Sequence, residues 1–109
     1  MVKQGDIIKL DFSPASGHEQ HGYRPAVVVS NDFAISKTSV VYVAPVTNTL
    51  RNFPLHIALD KRTITTGEIL CEQVKAVDLN SRQFIFVERL PDDILEKVLT
   101  CIISCFDVQ

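Results

Sequence analysis

Residues 25–30 read PAVVVS and residues 39–46 read SVVYVAPV, two short valine-rich runs bounded by residues that break regular structure. β-Branched side chains fit the pleated surface of a sheet, and runs of this length are typical of buried strands. The two runs therefore predict two buried strands.

The segments on either side of these runs also have strand patterns. Residues 5–12 (GDIIKLDF) place Ile8, Leu10 and Phe12 on one face with a period of two, which predicts a half-buried strand. Further strands are predicted at 54–59 (PLHIAL), 68–79 (EILCEQVKAVDL) and 83–88 (QFIFVE).

The last segment, PDDILEKVLTCIISCF, has a helical pattern instead. Its apolar residues recur every four positions, at Ile94, Val98, Ile102 and Phe106. We expect this stripe to pack on the sheet or on a second copy of the chain. Several short strands and one terminal helix predict a mainly β fold with α, a small bent sheet or SH3-like barrel that forms one domain over residues 1–109.

Composition limits the functions that are open to the chain. The 109 residues include 11 basic and 13 acidic side chains, and the net charge is −2. Proteins that hold long duplexes by their phosphates are usually basic, so any nucleic acid must be held by few, local contacts.

Three scattered cysteines fit a reducing cytosol. The start MVKQGDIIKL lacks a signal-peptide pattern, and we expect a cytoplasmic protein that does not associate with membranes.

The histidines do not form a metal-binding motif. His18 and His21 lie three apart in the polar stretch 13–23, with only Glu19 beside them, and surface histidines are the better interpretation. His56 lies in a predicted strand, where a solvent-facing or hydrogen-bonded structural histidine is expected. No metal and no cofactor are predicted.

Several polar side chains lie at the predicted strand ends. Arg24 joins the polar stretch to the first valine run, and its guanidinium could bind phosphate oxygens or form a surface salt bridge. Thr47 and Asn48 follow the second run, where simple turn formation is the alternative. Glu72 and Gln73 interrupt an apolar strand, so one of the two must point inward or into a groove.

Three stretches of the sequence together resemble the MazF/PemK toxin family. They are GDIIKLDFSPASGHEQHGYRPAVVVSN, APVTN and GEILCEQVKAVDL, and they cover most of the chain. The first is the most specific, with its Asp-Phe-Ser-Pro turn followed by Gly-x-Glu-Gln-x-Gly-x-Arg-Pro. The resemblance implies a PemK-type bent barrel with a C-terminal helix. It also implies a homodimeric type II toxin that cleaves single-stranded RNA at a short preferred sequence and so inhibits translation.

The resemblance also implies roles for individual residues. Arg24 and Thr47 match the catalytic arginine and threonine of the MazF branch. The PemK branch instead uses His, Arg and Asp. This chain keeps the histidine as His18 but has Leu70 and Glu72 at the other two positions, so the Arg–Thr pair is favoured and the role of His18 stays open. The RNA-binding set comprises His18, Glu19, Gln20, Asn31, Asn48, Glu72 and Gln73.

The expected reaction is attack of a ribose 2′-hydroxyl on the neighbouring phosphate, which needs no metal. His18, Glu19 or Glu72 could accept the proton. Tyr23 and Phe53 are candidate stacking platforms for bases. The alternative is that Phe53 belongs to the core and Tyr23 is only partly buried. The expected protein partner is a cognate antitoxin with an acidic, flexible tail. The alternatives are a CcdB-like toxin that binds gyrase and a non-catalytic RNA-binding module.

Overall fold

The computed structural model describes residues 1–12 and 23–109. Within these ranges the chain forms seven strands and two α-helices. They are β1 (Asp6–Asp11), β2 (Tyr23–Val28), α1 (Asp32–Lys37), β3 (Val40–Thr47), β4 (His56–Ala58), β5 (Glu68–Leu70), β6 (Lys75–Asp78), β7 (Phe84–Arg89) and α2 (Asp92–Ser104).

The strands form an antiparallel sheet in the order β4-β5-β3-β2-β1-β7, and β6 also pairs with β3. The long strand β3 organises this arrangement. Its first half pairs with β6 from Val40 to Val43, whereas its end pairs with β5 at Val46 and Thr47. Because one strand serves two neighbours along its length, the sheet bends. The predicted class, mainly β with a C-terminal helix in a bent, barrel-like sheet, is confirmed.

The alternating side chains of the central strands fill two apolar clusters. One cluster includes Ile7, Val27, Val46 and Ile69 and is covered by Ile94 and Val98 of α2. The other includes Ile8, Leu10, Val28, Val41 and Val43. Full burial of a valine, leucine or isoleucine side chain contributes about 1.5–3 kcal/mol, so these two clusters hold β1, β2 and β3 together.

The structure corrects the strand predicted at 68–79. A 3₁₀ turn at Cys71–Gln73 separates β5 from β6, and the two strands pair with opposite ends of β3. A period-two pattern cannot reveal this break, because Cys71 in the turn is as buried as a strand residue. Helix α1 was not predicted either, since six residues are too few to show a helical period. The Asn31 side chain caps it by accepting a hydrogen bond from the Ala34 amide at 2.8 Å.

Helix α2 confirms the helix predicted at the end of the chain, and its apolar stripe packs against the core as far as Ile102, whereas the apolar residues that follow do not. Ile94 and Val98 are buried, whereas Ile103 and Phe106 are 64% and 77% exposed. Together with Tyr42, the exposed residues line an apolar groove of about 620 Å³. Among the described residues, no helix is both long and apolar enough to cross a membrane.

Candidate active site

Arg24 and Thr47 come from neighbouring antiparallel strands and line one cavity. The β2–β3 pairing ends at Ala26 and Pro45, and Arg24 and Thr47 each lie two residues beyond that last pair. Arg24 is exposed and Thr47 is half-buried. Both line a cavity of about 320 Å³ whose wall also includes Gln73.

A second cavity of about 500 Å³ continues from the first, since both are lined by Thr47, Leu70 and Gln73. We call the two together the Thr47 groove. Its remaining walls are formed by Phe12, Arg24, Pro45, Val46, Thr49, Arg51, Phe53, His56, Glu72 and Lys75. The groove therefore offers cations, hydroxyls, a carboxylate and an aromatic ring within one continuous surface.

Thr47 is fixed by its immediate surroundings. The Thr49 amide donates a hydrogen bond to the Thr47 hydroxyl oxygen at 3.1 Å, and Thr47 pairs with Glu68 in the sheet. Gly67 lies directly against the Thr47 carbonyl, where a Cβ would overlap the oxygen and lie 2.8 Å from the carbon. Its φ of +115° also favours glycine.

The floor of the groove contains a chain of three ionisable side chains, which we call the Glu68–His56–Glu72 cluster. His56 Nδ1 lies 3.1 Å from Glu68 Oε1, and His56 Nε2 lies 2.9 Å from Glu72 Oε2. The His56 side chain is only 4% exposed, compared with 10% for Glu68 and 29% for Glu72. Glu68 also accepts hydrogen bonds from the backbone amides of Arg51 and Asn52 at 3.2 and 3.3 Å.

The two carboxylates favour the doubly protonated imidazolium form of His56. Burial lowers the pKa of His56, but the hydrogen bonds and negative charges of Glu72 and Glu68 together raise it above its usual 6.5. A hydrogen bond from the Arg51 backbone amide, together with those from His56 and the Asn52 amide, lowers the pKa of Glu68. Burial opposes this shift but does not cancel it. Burial likewise raises the pKa of Glu72, but the hydrogen bond from His56 outweighs it and the net shift is downward.

We predict that the cluster makes stability depend on pH in both directions. Because the pKa of His56 is raised in the folded state, its contribution to the free energy of unfolding is complete below the unfolded-state pKa near 6.5. That contribution is lost as pH rises through the folded-state pKa. Because the pKa values of Glu68 and Glu72 are lowered in the folded state, their contribution to the free energy of unfolding is complete above the unfolded-state pKa of about 4.5. It is lost as pH falls through their folded-state pKa values. Urea denaturation of the wild type and His56→Gln between about pH 5 and about pH 9 measures the first effect. The stability difference between them should shrink as pH rises, and a constant difference would contradict the prediction.

The other predicted site residues are distributed unevenly. Glu72 and Gln73 line the Thr47 groove. Asn48 is exposed at the end of β3 and accepts a hydrogen bond from the Thr66 hydroxyl at 2.8 Å. Asn31 caps α1 and lines the apolar groove beside α2 rather than the Thr47 groove. The predicted contacts at His18, Glu19 and Gln20 lie outside the described residues.

The aromatic candidates differ in their surroundings. Phe53 is 46% exposed, lines the groove and meets His56 edge-on, with ring centroids 5.1 Å apart. Tyr23 is 38% exposed and donates a hydrogen bond from its hydroxyl to Gln83 at 2.9 Å. Phe53 is therefore the better placed of the two to meet a ligand in the groove.

No sequence pattern indicated that His56, Arg51 and Lys75 line one groove or that Glu68 contacts His56. His56 and Glu68 are 12 residues apart, and His56 and Glu72 are 16 apart. Their meeting depends on how β4 pairs with β5, and neither strand exceeds three residues. The expectation of a hydrogen-bonded structural histidine described His56 only in part, because its location in a groove wall was not foreseen.

The fold belongs to the class of bent-barrel toxins. A crystal structure of MazE-MazF from Deinococcus radiodurans is similar with a TM-score of 0.89 and 28% identity, covering 99% of this chain and 97% of that chain. An endoribonuclease in complex with its cognate antitoxin from Mycobacterial species has a TM-score of 0.82 over the full length of both chains. At 17% identity, that second likeness shows the fold alone.

A family model described as PemK-like, MazF-like toxin of type II toxin–antitoxin system matches residues 3–106, and the chain belongs to this family. A curated relative, Endoribonuclease PemK of Escherichia coli, is 33% identical over 102 residues, covering 90% of this chain and 77% of the relative. The resemblance seen in the sequence is therefore confirmed. The predicted class, an endoribonuclease toxin, is confirmed with it.

Proposed function

We propose that this chain cleaves single-stranded RNA at a short preferred sequence, without a metal ion, through Arg24 and Thr47. The observation that supports the proposal most directly is that these two side chains line one groove on adjacent strands. Cleavage of messenger RNA would take place in the cytoplasm and would inhibit translation. The residue assignments rest on the resemblance of the motifs Tyr-Arg-Pro and Val-Thr-Asn to those of the family, and the groove geometry supports them.

The proposed reaction is an internal transesterification. The ribose 2′-oxygen forms a bond to phosphorus while the bond from phosphorus to the 5′-oxygen breaks, and the 2′ proton is balanced by a proton gained at the leaving oxygen. The products are a 2′,3′-cyclic phosphate and a 5′-hydroxyl. Arg24 would stabilise the negative charge that grows on the phosphorane oxygens, and the Thr47 hydroxyl would donate to the same group.

The groove fits an unpaired strand better than a duplex. The groove is lined by three cations, Arg24, Arg51 and Lys75, and also by the Glu72 carboxylate, so the phosphate attraction is local and the bases must contribute to binding. Phe53 offers an exposed ring, and stacking of a base on such a ring contributes about 1–3 kcal/mol. Gln73 and Asn48 would add hydrogen bonds to base edges.

The assembly proposed with this function is a homodimer that binds a cognate antitoxin. The exposed side chains of Ile103 and Phe106 and the 620 Å³ apolar groove that they line fit burial against a second copy. Asn31 lines that apolar groove, which would place it near the dimer interface and within reach of RNA bound across it. The antitoxin partner is supported by the similarity to MazF in MazE-MazF, and an acidic tail would complement the cations of the Thr47 groove.

Incubation of the purified protein with a long unstructured RNA in excess EDTA tests the reaction. We expect discrete fragments that carry 2′,3′-cyclic phosphate and 5′-hydroxyl ends by mass spectrometry. Thr47→Val should lose roughly 10²-fold or more in rate because it removes one preorganised donor, whereas Thr47→Ser should retain most activity. Intact RNA together with inhibited supercoiling by gyrase would favour the CcdB-like alternative. Binding of RNA without single-turnover cleavage would favour the non-catalytic module.

A further inference from the structure

We propose that His56 is a positioning residue for RNA cleavage: within hydrogen-bond distance of both Glu68 and Glu72, it fixes the Glu72 carboxylate in the groove wall, where Glu72 takes the 2′-hydroxyl proton. This inference rests on the proposed function and deepens it, because the sequence left His18, Glu19 and Glu72 all open as candidates for that step. His56 would itself stay out of contact with the RNA.

The cluster is anchored at Glu68 and open to the groove at Glu72. Glu68 is 10% exposed and is held by two backbone amides in addition to His56. Glu72 is the most exposed of the three side chains and lines the same wall as Thr47 and Gln73. His56 connects the two ends through both ring nitrogens, so the orientation of Glu72 is set by the anchored Glu68.

A purely structural role explains the cluster less well. Burial of ionised groups carries a desolvation cost that often exceeds the attraction gained, and apolar side chains of similar size stabilise such a position equally well. The position lies between Phe53 and Leu70, where an apolar residue would be suitably surrounded. An imidazolium buried against two carboxylates, at the base of the groove that contains Thr47, is therefore better explained by chemistry than by stability.

The proton balance requires only the groups present. Two carboxylates and one imidazolium leave the resting cluster with one net negative charge. Glu72 gains the 2′ proton as the bond from the 2′-oxygen to phosphorus forms, and it passes that proton to solvent or to the leaving 5′-oxygen. His56 keeps both of its protons throughout. If His56 were neutral, Glu72 would lose its cationic partner, and only one of the two ring nitrogens could still donate a hydrogen bond to a carboxylate.

Profiles of kcat/KM against pH on a short RNA oligonucleotide test the inference. The charged groups that contact the ring are Glu68 from β5 and Glu72 from the 3₁₀ turn. We therefore expect an acidic limb set by Glu72 and a basic limb set by His56. Glu72→Gln should lose roughly 10²-fold or more in kcat, the usual contribution of a general base. His56→Gln should move the acidic limb to higher pH and lower kcat with little change in KM.

Glu68→Gln is a second, independent test of the inference, because it leaves His56 and Glu72 in place. Loss of one carboxylate weakens the hold on the imidazolium proton, so the basic limb should move to lower pH while the acidic limb stays. The matched control is Glu96→Gln, which removes an exposed carboxylate on α2 outside the groove and should cut like the wild type. Circular dichroism establishes that each variant is folded.

The outcomes separate this inference from the proposed function. Wild-type protein that fails to cut RNA would overturn both. Wild-type protein that cuts, together with folded His56→Gln whose profile is unchanged, would overturn the role of His56 alone. If His56→Gln does not fold, an unmoved basic limb in Glu68→Gln has the same consequence.

Discussion

Arg24→Ala is expected to remove nearly all RNA cleavage while the fold stays intact. The guanidinium is the donor placed to meet charge that develops on the phosphate, and removal of one such donor costs roughly 10²–10³ in rate, about 2.7–4 kcal/mol. The side chain is exposed at the start of β2, across from Leu10 on β1, so its loss leaves the core untouched. Initial cleavage rates and a thermal melt of the same preparation measure the two effects.

Two further variants make the Arg24 result specific. Arg24→Lys keeps the positive charge but loses the fork of donors, so it should restore binding of RNA more than it restores rate. Lys9→Ala removes an exposed cation from the neighbouring strand, opposite Pro25, and should leave cleavage unchanged. Cleavage at the wild-type rate by Arg24→Ala would remove Arg24 from the reaction.

Gly67→Ala should be the most damaging of the small substitutions, because it affects stability and activity together. The new Cβ would overlap the Thr47 carbonyl, which is backbone and cannot rotate away, and the φ of +115° would be strained for alanine. We expect a loss of about 3 kcal/mol in the free energy of unfolding. We also expect reduced cleavage even at temperatures where the variant is folded, because Thr47 must move.

Gly5→Ala is the matched control for this prediction. Gly5 also has a positive φ, at +90°, but the nearest atoms to its Cβ belong to the side chains of Leu95 and Arg89. The substitution should therefore lower stability through strain and leave cleavage by the folded protein at the wild-type rate. Chemical denaturation gives the stability of both variants, and cleavage assays well below their melting temperatures give the rates. Equal effects of the two substitutions on cleavage would show that contact with Thr47 is not the cause.

Local sequence pattern determined most of the secondary structure correctly. The period-two pattern located β1, the valine-rich runs located β2 and β3, the strand-like segments at 54–59 and 83–88 located β4 and β7, and the four-residue recurrence located α2. The pattern failed at residues 68–79, where a buried turn residue looks like a strand residue, and at the six-residue α1. Both failures have the same physical origin, because a short element shows less than two periods and its burial depends on distant neighbours.

The sequence by itself determined the mainly β class, the terminal helix and, through the motifs around Arg24 and Thr47, the toxin family. These properties depend on side-chain periodicity and on residues that are close together along the chain. Only the tertiary structure decided that His56, Glu68 and Glu72 meet, and that Gly67 lies against Thr47. Those contacts depend on the pairing of β3, β4 and β5, and a strand register is set by the packing of the whole sheet rather than by any one segment.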